Sequence, residues 1–382
     1  MTRREKLLSW MAEGDPDRMP LLFWVGGDLP NVWYGREGNY GYEEQIRAAR
    51  ELGAEVWFCV HGPSIFHGVN DYAKDIRMSS EEEKLPSGGT RTVRRFETPE
   101  GTLTDIREKT FDEPLRIVRN FVMGAHDVPA YQALVRGSAR GILENRERVL
   151  ADLVRETGSN IAATHDEGPA MMWLFIPMVE LTCSQFFKQE EGLYFIHDHR
   201  ETLEELMDLH MQATMLWIEA GAQAGVDIFG YSINGYEIYS PTLYRNIVVP
   251  QAKAINQRIR DAAKLSWWHC CGRYQRMVQE GIWADISPDV MESYSPPPAG
   301  DITDLRRIRN ATKVRASRGA MYVGYLWEDG PQEIRRRTKE IIEAMRGHRH
   351  MLGGTDDMLP GTPRENLVAM RDAVEEQGMA FE

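Results

Sequence analysis

Along this chain, β-branched, aromatic and other apolar residues gather in short runs, and the stretches between them carry apolar residues at helical spacing. The runs that read as strands are 19–25 (MPLLFWV), 54–60 (AEVWFCV), 160–164 (NIAAT), 226–232 (VDIFGYS), 265–270 (LSWWHC), 291–294 (MESY), 320–326 (AMYVGYL) and 350–355 (HMLGGT). Helical spacing marks 43–52, 143–156, 200–224, 241–263, 331–346 and 364–377. Strand alternating with helix predicts a parallel sheet covered by helices. About eight such strands predict an α/β fold, a (β/α)8 TIM barrel spanning 1–382 as one domain, with 1–40 as an N-terminal helical extension. Segment 90–109 (TRTVRRFETPEGTLTDIREK) departs from this rhythm, because two alternating runs flank TPEG in the manner of a β-hairpin. It reads as an insertion, a lid or a homodimer contact.

Composition narrows the function classes. The formal charge of −13 argues against a nucleic-acid partner, which needs a basic surface to displace counterions. No apolar run approaches the roughly 18 residues of a membrane span. The start, MTRREKLLSWMAEGD, lacks the apolar core of a signal peptide. Four cysteines, two of them adjacent, do not form the framework of a secreted disulfide protein. A soluble chain in a reducing cytoplasm is the expectation.

In barrels of this type, chemistry collects at the C-terminal ends of the strands. The predicted ends here carry His61, then His165 with Glu167, Asn234 with Glu237, His269 with Cys271, Glu292 with Tyr294, and Asp356 with Asp357. Tyr231 and Tyr294 are candidates for lining a pocket. The stretch LSWWHCCGR carries the sharpest signal. On an extended strand, His269 and Cys271 point to one side and Cys270 to the other. Imidazole and thiolate are ligands that zinc prefers, and a site with two or three protein ligands leaves a position for substrate. A buried cysteine beside a satisfied histidine is the competing reading. A redox pair is disfavoured, since adjacent cysteines bridge only with backbone distortion.

The pattern HCCGRYQRMVQEGIWADISPDVMES, followed by YVGYL and HMLGGTDDMLPGTPRENLVAMRDAVEEQG, resembles the uroporphyrinogen decarboxylase superfamily. Within it, the likeness is closest to the cobalamin-linked zinc methyltransferases. The resemblance implies a (β/α)8 barrel. It also implies zinc held by a His-x-Cys pair and a distant cysteine, with His269 and Cys271 matching the pair. Where the family places its last cysteine, this chain reads GGTDDMLPGTPREN, so Asp356, which keeps the spacing to Thr362-Pro363, is the expected third ligand. Thr355, Asp357, Glu237 and Glu292 are the other candidates. Exchanging sulfur for oxygen makes a harder, more Lewis-acidic site. Of the residues that true decarboxylases use in these stretches, the arginine is missing from MPLLFWVGGDLPNVW and the aspartate from FCVHGPSIF.

The function implied is methyl transfer between a small methylated substrate, such as a methoxylated aromatic, and a separate corrinoid protein or thiol. No Asp-x-His-x-x-Gly pattern is present, so cobalamin would arrive on that partner. In this scheme His165, Glu167 and Glu237 orient substrate or relay a proton, while Tyr231, Asn234, Tyr294 and His61 contact it. A decarboxylase or lyase acting on a small carboxylated substrate is the runner-up, and a non-catalytic binding protein is the alternative from another class.

Overall fold

A computed structural model of the chain describes residues 1–24, 29–34, 41–60, 62–86, 88–110, 115–183, 186–232 and 237–381. In chain order its strands are β1 (Phe58–Val60), β2 (Arg77–Lys84), β3 (Thr90–Thr98), β4 (Gly101–Lys109), β5 (Arg116–Arg119), β6 (Ala170–Phe175), β7 (Ile228–Ser232), β8 (Leu265–Cys270), β9 (Val290–Ser293), β10 (Ala316–Met321) and β11 (His350–Gly354). The chain forms two compact units, one of Met1–Val60, Thr157–Trp173 and Gly225–Glu382, the other of His61–Glu156 and Leu174–Ala224.

The first unit is an α/β assembly around a seven-stranded parallel sheet in the order β1-β6-β7-β8-β9-β10-β11. Alternation along each strand sends one set of side chains to a common interior. Trp57, Met171, Ile228, Trp267, Val290, Ala316 and Met351 pack there with Leu22 and with Leu7, Trp10 and Met11 of the helix Arg3–Glu13. That helix begins with a capping box, Thr2 accepting from the Glu5 amide and Glu5 from the Thr2 amide. It sits by the N-terminal ends of the strands, where Arg4 forks onto Asp227 just before β7, at 2.8 Å for both bonds. Pro20–Leu22 bonds to β11 on one side and, on the other, to Glu55, three residues ahead of β1. The Leu22 amide donates to the Leu352 carbonyl at 2.9 Å, the Leu352 amide to Pro20 at 2.8 Å, and the Glu55 amide to Leu21 at 2.7 Å.

Three expectations change. NIAAT is not a strand, because the helix Arg146–Ala162 runs through most of it, and the strand lies at Ala170–Phe175 instead. A short apolar run containing two alanines cannot be told from the end of an amphipathic helix by periodicity, and Gly168-Pro169 then break the chain. The run 320–326 divides into the end of β10 and a helix, Val323–Glu328. Among the described residues of 19–25, Leu21 and Leu22 alone make isolated bridges.

The second unit holds a four-stranded antiparallel sheet, β2-β3-β4-β5. Segment 90–109 supplies β3 and β4, which turn between Thr98 and Gly101. This sheet is wider than the two-stranded hairpin expected, extending from Arg77 to Arg119. Phe96, Leu103 and the carboxylate of Asp105 are buried, the last held by Arg94 and Arg107 at 2.6 Å each. Helices supply the rest of this unit, where Glu180 and His210 form a buried pair. No helix among the described residues is long and apolar enough to cross a membrane.

His350, at the start of β11, gives the first unit a pH dependence. Its ring is fully buried between the Ser317 hydroxyl at 2.9 Å and the Gly319 carbonyl at 3.3 Å. Burial, assisted by the nearby cations Arg309 and Arg318 and by His348, pushes its pKa down to about 3. An unfolded histidine takes a proton near pH 6.5, whereas the folded one does so only near pH 3, so protons favour unfolding throughout that window. Stability should therefore fall with acid by up to about 1.4 kcal/mol per pH unit from this group. Urea unfolding midpoints measured from pH 7 to pH 4 should decline more steeply for the wild type than for His350→Gln.

Candidate metal centre

The site grows from register. In a parallel sheet, side chains at paired positions point to the same side, and β8 sends Leu265 and Trp267 into the interior core. His269 follows at the same phase. It pairs in register with Ser232 on β7 and with Glu292 on β9, and Glu292 pairs with Arg318 on β10. Four adjacent strands thus present a row of Ser232, His269, Glu292 and Arg318 near their C-terminal ends.

The row is hydrogen-bonded along its length. His269 Nδ1 lies 2.5 Å from Glu292 Oε1, and Arg318 Nη1 donates to Glu292 Oε2 at 2.7 Å. Arg318 Nε donates to the Leu22 carbonyl at 2.9 Å. Glu292 and Arg318 are wholly buried, and His269 nearly so. Burial alone would lift the Glu292 pKa, but Arg318 and His269 outweigh it and hold the carboxyl below its usual value. For His269 burial works downward, and the hydrogen bonds and charges of Cys271 and Glu292 overcome it, holding the imidazole well above the usual range. The Ser232 hydroxyl and Arg318 Nη2 are buried with no partner among the described residues.

Cys271 follows the last residue of β8, and Gly272, at φ 101°, turns the chain away in the left-handed region open to glycine. Asp356 lies two residues beyond β11, its Oδ1 accepting from the Asp357 amide at 2.9 Å. One ligand atom each from His269, Cys271 and Asp356 fall within 4.8 Å of one another, the one such group among the described residues. A tetrahedral zinc with ordinary bond lengths would draw them to about 3.5 Å, a short closure for a half-buried aspartate. Since Nδ1 is committed to Glu292, Nε2 is the histidine atom available to a metal. A metal ligand whose second nitrogen is fixed by a carboxylate is a common arrangement. The donor set of imidazole, thiolate and carboxylate fits zinc. Two half-exposed indoles border the site, with Trp24 and Trp173 meeting the His269 ring edge to face at 5.6 and 5.8 Å between centroids.

The other expected residues lie elsewhere. His165 and Glu167 precede β6 rather than follow a strand, which puts them at the far end of the sheet from Cys271 and Asp356. There Glu167 meets Arg50 at 2.5 Å, and His165 is exposed. Tyr231 is out of phase with the row, and Tyr294 lies past the end of β9, where Ser293 and Tyr294 leave the extended conformation at φ 88° and 50°. They are buried and bonded to Asn256 at 2.8 Å and Thr312 at 3.1 Å, respectively. Glu237 is exposed and accepts from the Arg273 amide at 2.7 Å, anchoring the chain just after Cys271. Glu292 is committed to His269 and Arg318. His61 and Asn234 lie outside the described residues. Ser232, Trp173 and Arg318 belong to the site and were not singled out by sequence. The available signal was an arginine alternating with Ala316 and Ala320 in an otherwise small and apolar run.

The model of the family described as uroporphyrinogen decarboxylase (URO-D) matches residues 178–377, just over half of the chain. The chain belongs to the uroporphyrinogen decarboxylase family. Comparison with curated proteins gave no match. Among solved structures, this family member is similar to a methyltransferase from Methanosarcina mazei, at 14% identity and TM-score 0.63 over 98% of this chain and 99% of that one. It also resembles a B12-independent methionine synthase from Shewanella sp. W3-18-1, at 13% identity and TM-score 0.49 over 94% and 97%. At such identities the first likeness is one of fold.

Proposed function

We propose that this family member is a metal-dependent methyltransferase. In this reading it moves a methyl group between a small methylated molecule, such as a methoxylated aromatic, and a separate corrinoid protein or thiol. The observation that carries the proposal is the convergence of His269, Cys271 and Asp356, drawn from the ends of two strands far apart in sequence. Zinc held there would supply a Lewis acid of the kind that stabilises charge on a leaving oxygen. Cobalamin, if it takes part, would come on the partner. The fold reading that accompanies this function is a (β/α)8 barrel whose remaining strand is Pro20–Leu22, supported by that segment's bonds to β11 and to Glu55 just ahead of β1.

The chain's own residues have separable tasks. Glu292 accepts the Nδ1 proton of His269 and so keeps the Nε2 lone pair directed at the metal position. Asp356, an oxygen donor where related sites use sulfur, shifts the preference from thiols toward oxygen-bearing ligands. Trp24 and Trp173 present flat apolar surface beside His269 and limit the water that reaches it.

Metal content is the direct test. Protein purified without chelator should carry near-stoichiometric zinc by mass spectrometry, and exchange with cobalt(II) should give a charge-transfer band of one thiolate. Free cob(I)alamin should then be methylated by a methoxylated aromatic donor. A folded protein that stays metal-free after zinc is added would rule the reading out.

A further inference from the structure

Among the described residues Arg318 makes no hydrogen bond or ion pair with the three candidate ligands, yet two lines of bonding meet on it. Through Nη1 it holds Glu292, which holds His269. Through Nε it holds the Leu22 carbonyl, and Leu22 belongs to the short segment that bonds to β11 and to Glu55 just ahead of β1. The approach is tight. A Cβ on Gly353 would lie 2.3 Å from the Leu22 carbonyl oxygen and 3.3 Å from Arg318 Nε, so a glycine at 353 is what lets the two meet. Trp24, two residues beyond Leu22, rests its ring 5.9 Å from the Arg318 guanidinium and borders His269.

We propose that Arg318 is a positioning residue coupling the metal centre to closure of the sheet by Pro20–Leu22. A fork with one arm on Glu292 and one on Leu22 fixes the carboxylate only while the segment is in place. A metal that selects one orientation of His269 therefore also selects the closed segment. Coupling of this kind is reciprocal, so metal should stabilise closure as much as closure strengthens metal binding. The inference rests on the zinc reading above.

Arg318→Lys is the first variant to test, because it keeps a cation against Glu292 but lacks the planar fork that reaches both partners. Zinc affinity would be measured by competition with a chromophoric chelator, and amide hydrogen exchange followed with and without zinc at Leu22 and Leu352. Loss of an orienting partner of this kind weakens metal binding by roughly 10- to 100-fold. The expected result is a loss in that range for Arg318→Lys, with zinc slowing exchange at both amides in the wild type and much less in the variant. Gly353→Ala, which crowds Leu22 without touching Glu292, should reproduce both effects and serves if the lysine variant does not fold. Variants that bind zinc like the wild type, or retain its full protection of Leu22 and Leu352, would overturn the coupling and leave the metal site standing. A wild type that takes up no zinc would sink both.

Discussion

Cys271→Ala and His269→Ala should each weaken zinc binding by about a thousand-fold. Protein zinc sites with full ligand sets bind with roughly 10–16 kcal/mol, so removing one of three protein ligands costs about 4 kcal/mol, close to three powers of ten. His269 is the stricter case, since its loss also leaves Glu292 without a partner on one oxygen. Asp356→Ala should cost less, because that side chain is half exposed and water takes its place readily. Asp356→Cys should do the opposite, raising zinc affinity and adding a second thiolate to the cobalt charge-transfer band. Chelator competition and cobalt spectra across these four variants check the assignment. An unchanged affinity in Cys271→Ala would remove the thiolate from the site.

Glu292→Ala should unfold the first unit more readily than any single ligand change. Arg318 is completely buried, and without Glu292 its charge keeps the Leu22 carbonyl and the Trp24 ring but no paired anion among the described residues. Removing one partner of a buried ion pair costs about 3–5 kcal/mol, mostly as the penalty of the charge left behind. The urea midpoint should drop accordingly. Removing the charge as well, in Glu292→Ala with Arg318→Met, should recover a good part of the loss, because a buried pair exchanged for apolar groups is often nearly neutral. A double variant that simply adds the two single effects would mean that the pair contributes nothing as a pair.

Much of this was legible in the sequence, and the misses have physical causes. His269 and Cys271 could be paired because a strand repeats every two residues, a local property. Asp356 came from the spacing of a related motif, and the structure brings it to the other two. The strand AMMWLF escaped because it has no β-branched residue, whereas the adjacent NIAAT imitated one. That single error moved His165 and Glu167 to the wrong end of the sheet. Tyr231 was near the site in sequence but one residue out of phase with the row, which reverses its facing side, while Tyr294 falls where the chain leaves β9 through two residues of positive φ. Ser232 and Arg318 depend on which strands neighbour which. Register between distant segments is written in no local window.

The bond between Leu22 and Leu352 also bears on how the molecule is made. A contact spanning some 330 residues of chain carries a large loop-closure cost and is slow to form. During synthesis it has no partner until the ribosome has passed β11. Until then Trp10, Leu21 and Leu22 have nothing of β10 or β11 to pack on, a condition that favours chaperone capture and aggregation over early folding. Asp356 lies just beyond the same strand. The first unit is therefore completed only once β11 has been made, and Asp356 cannot join His269 and Cys271 before then.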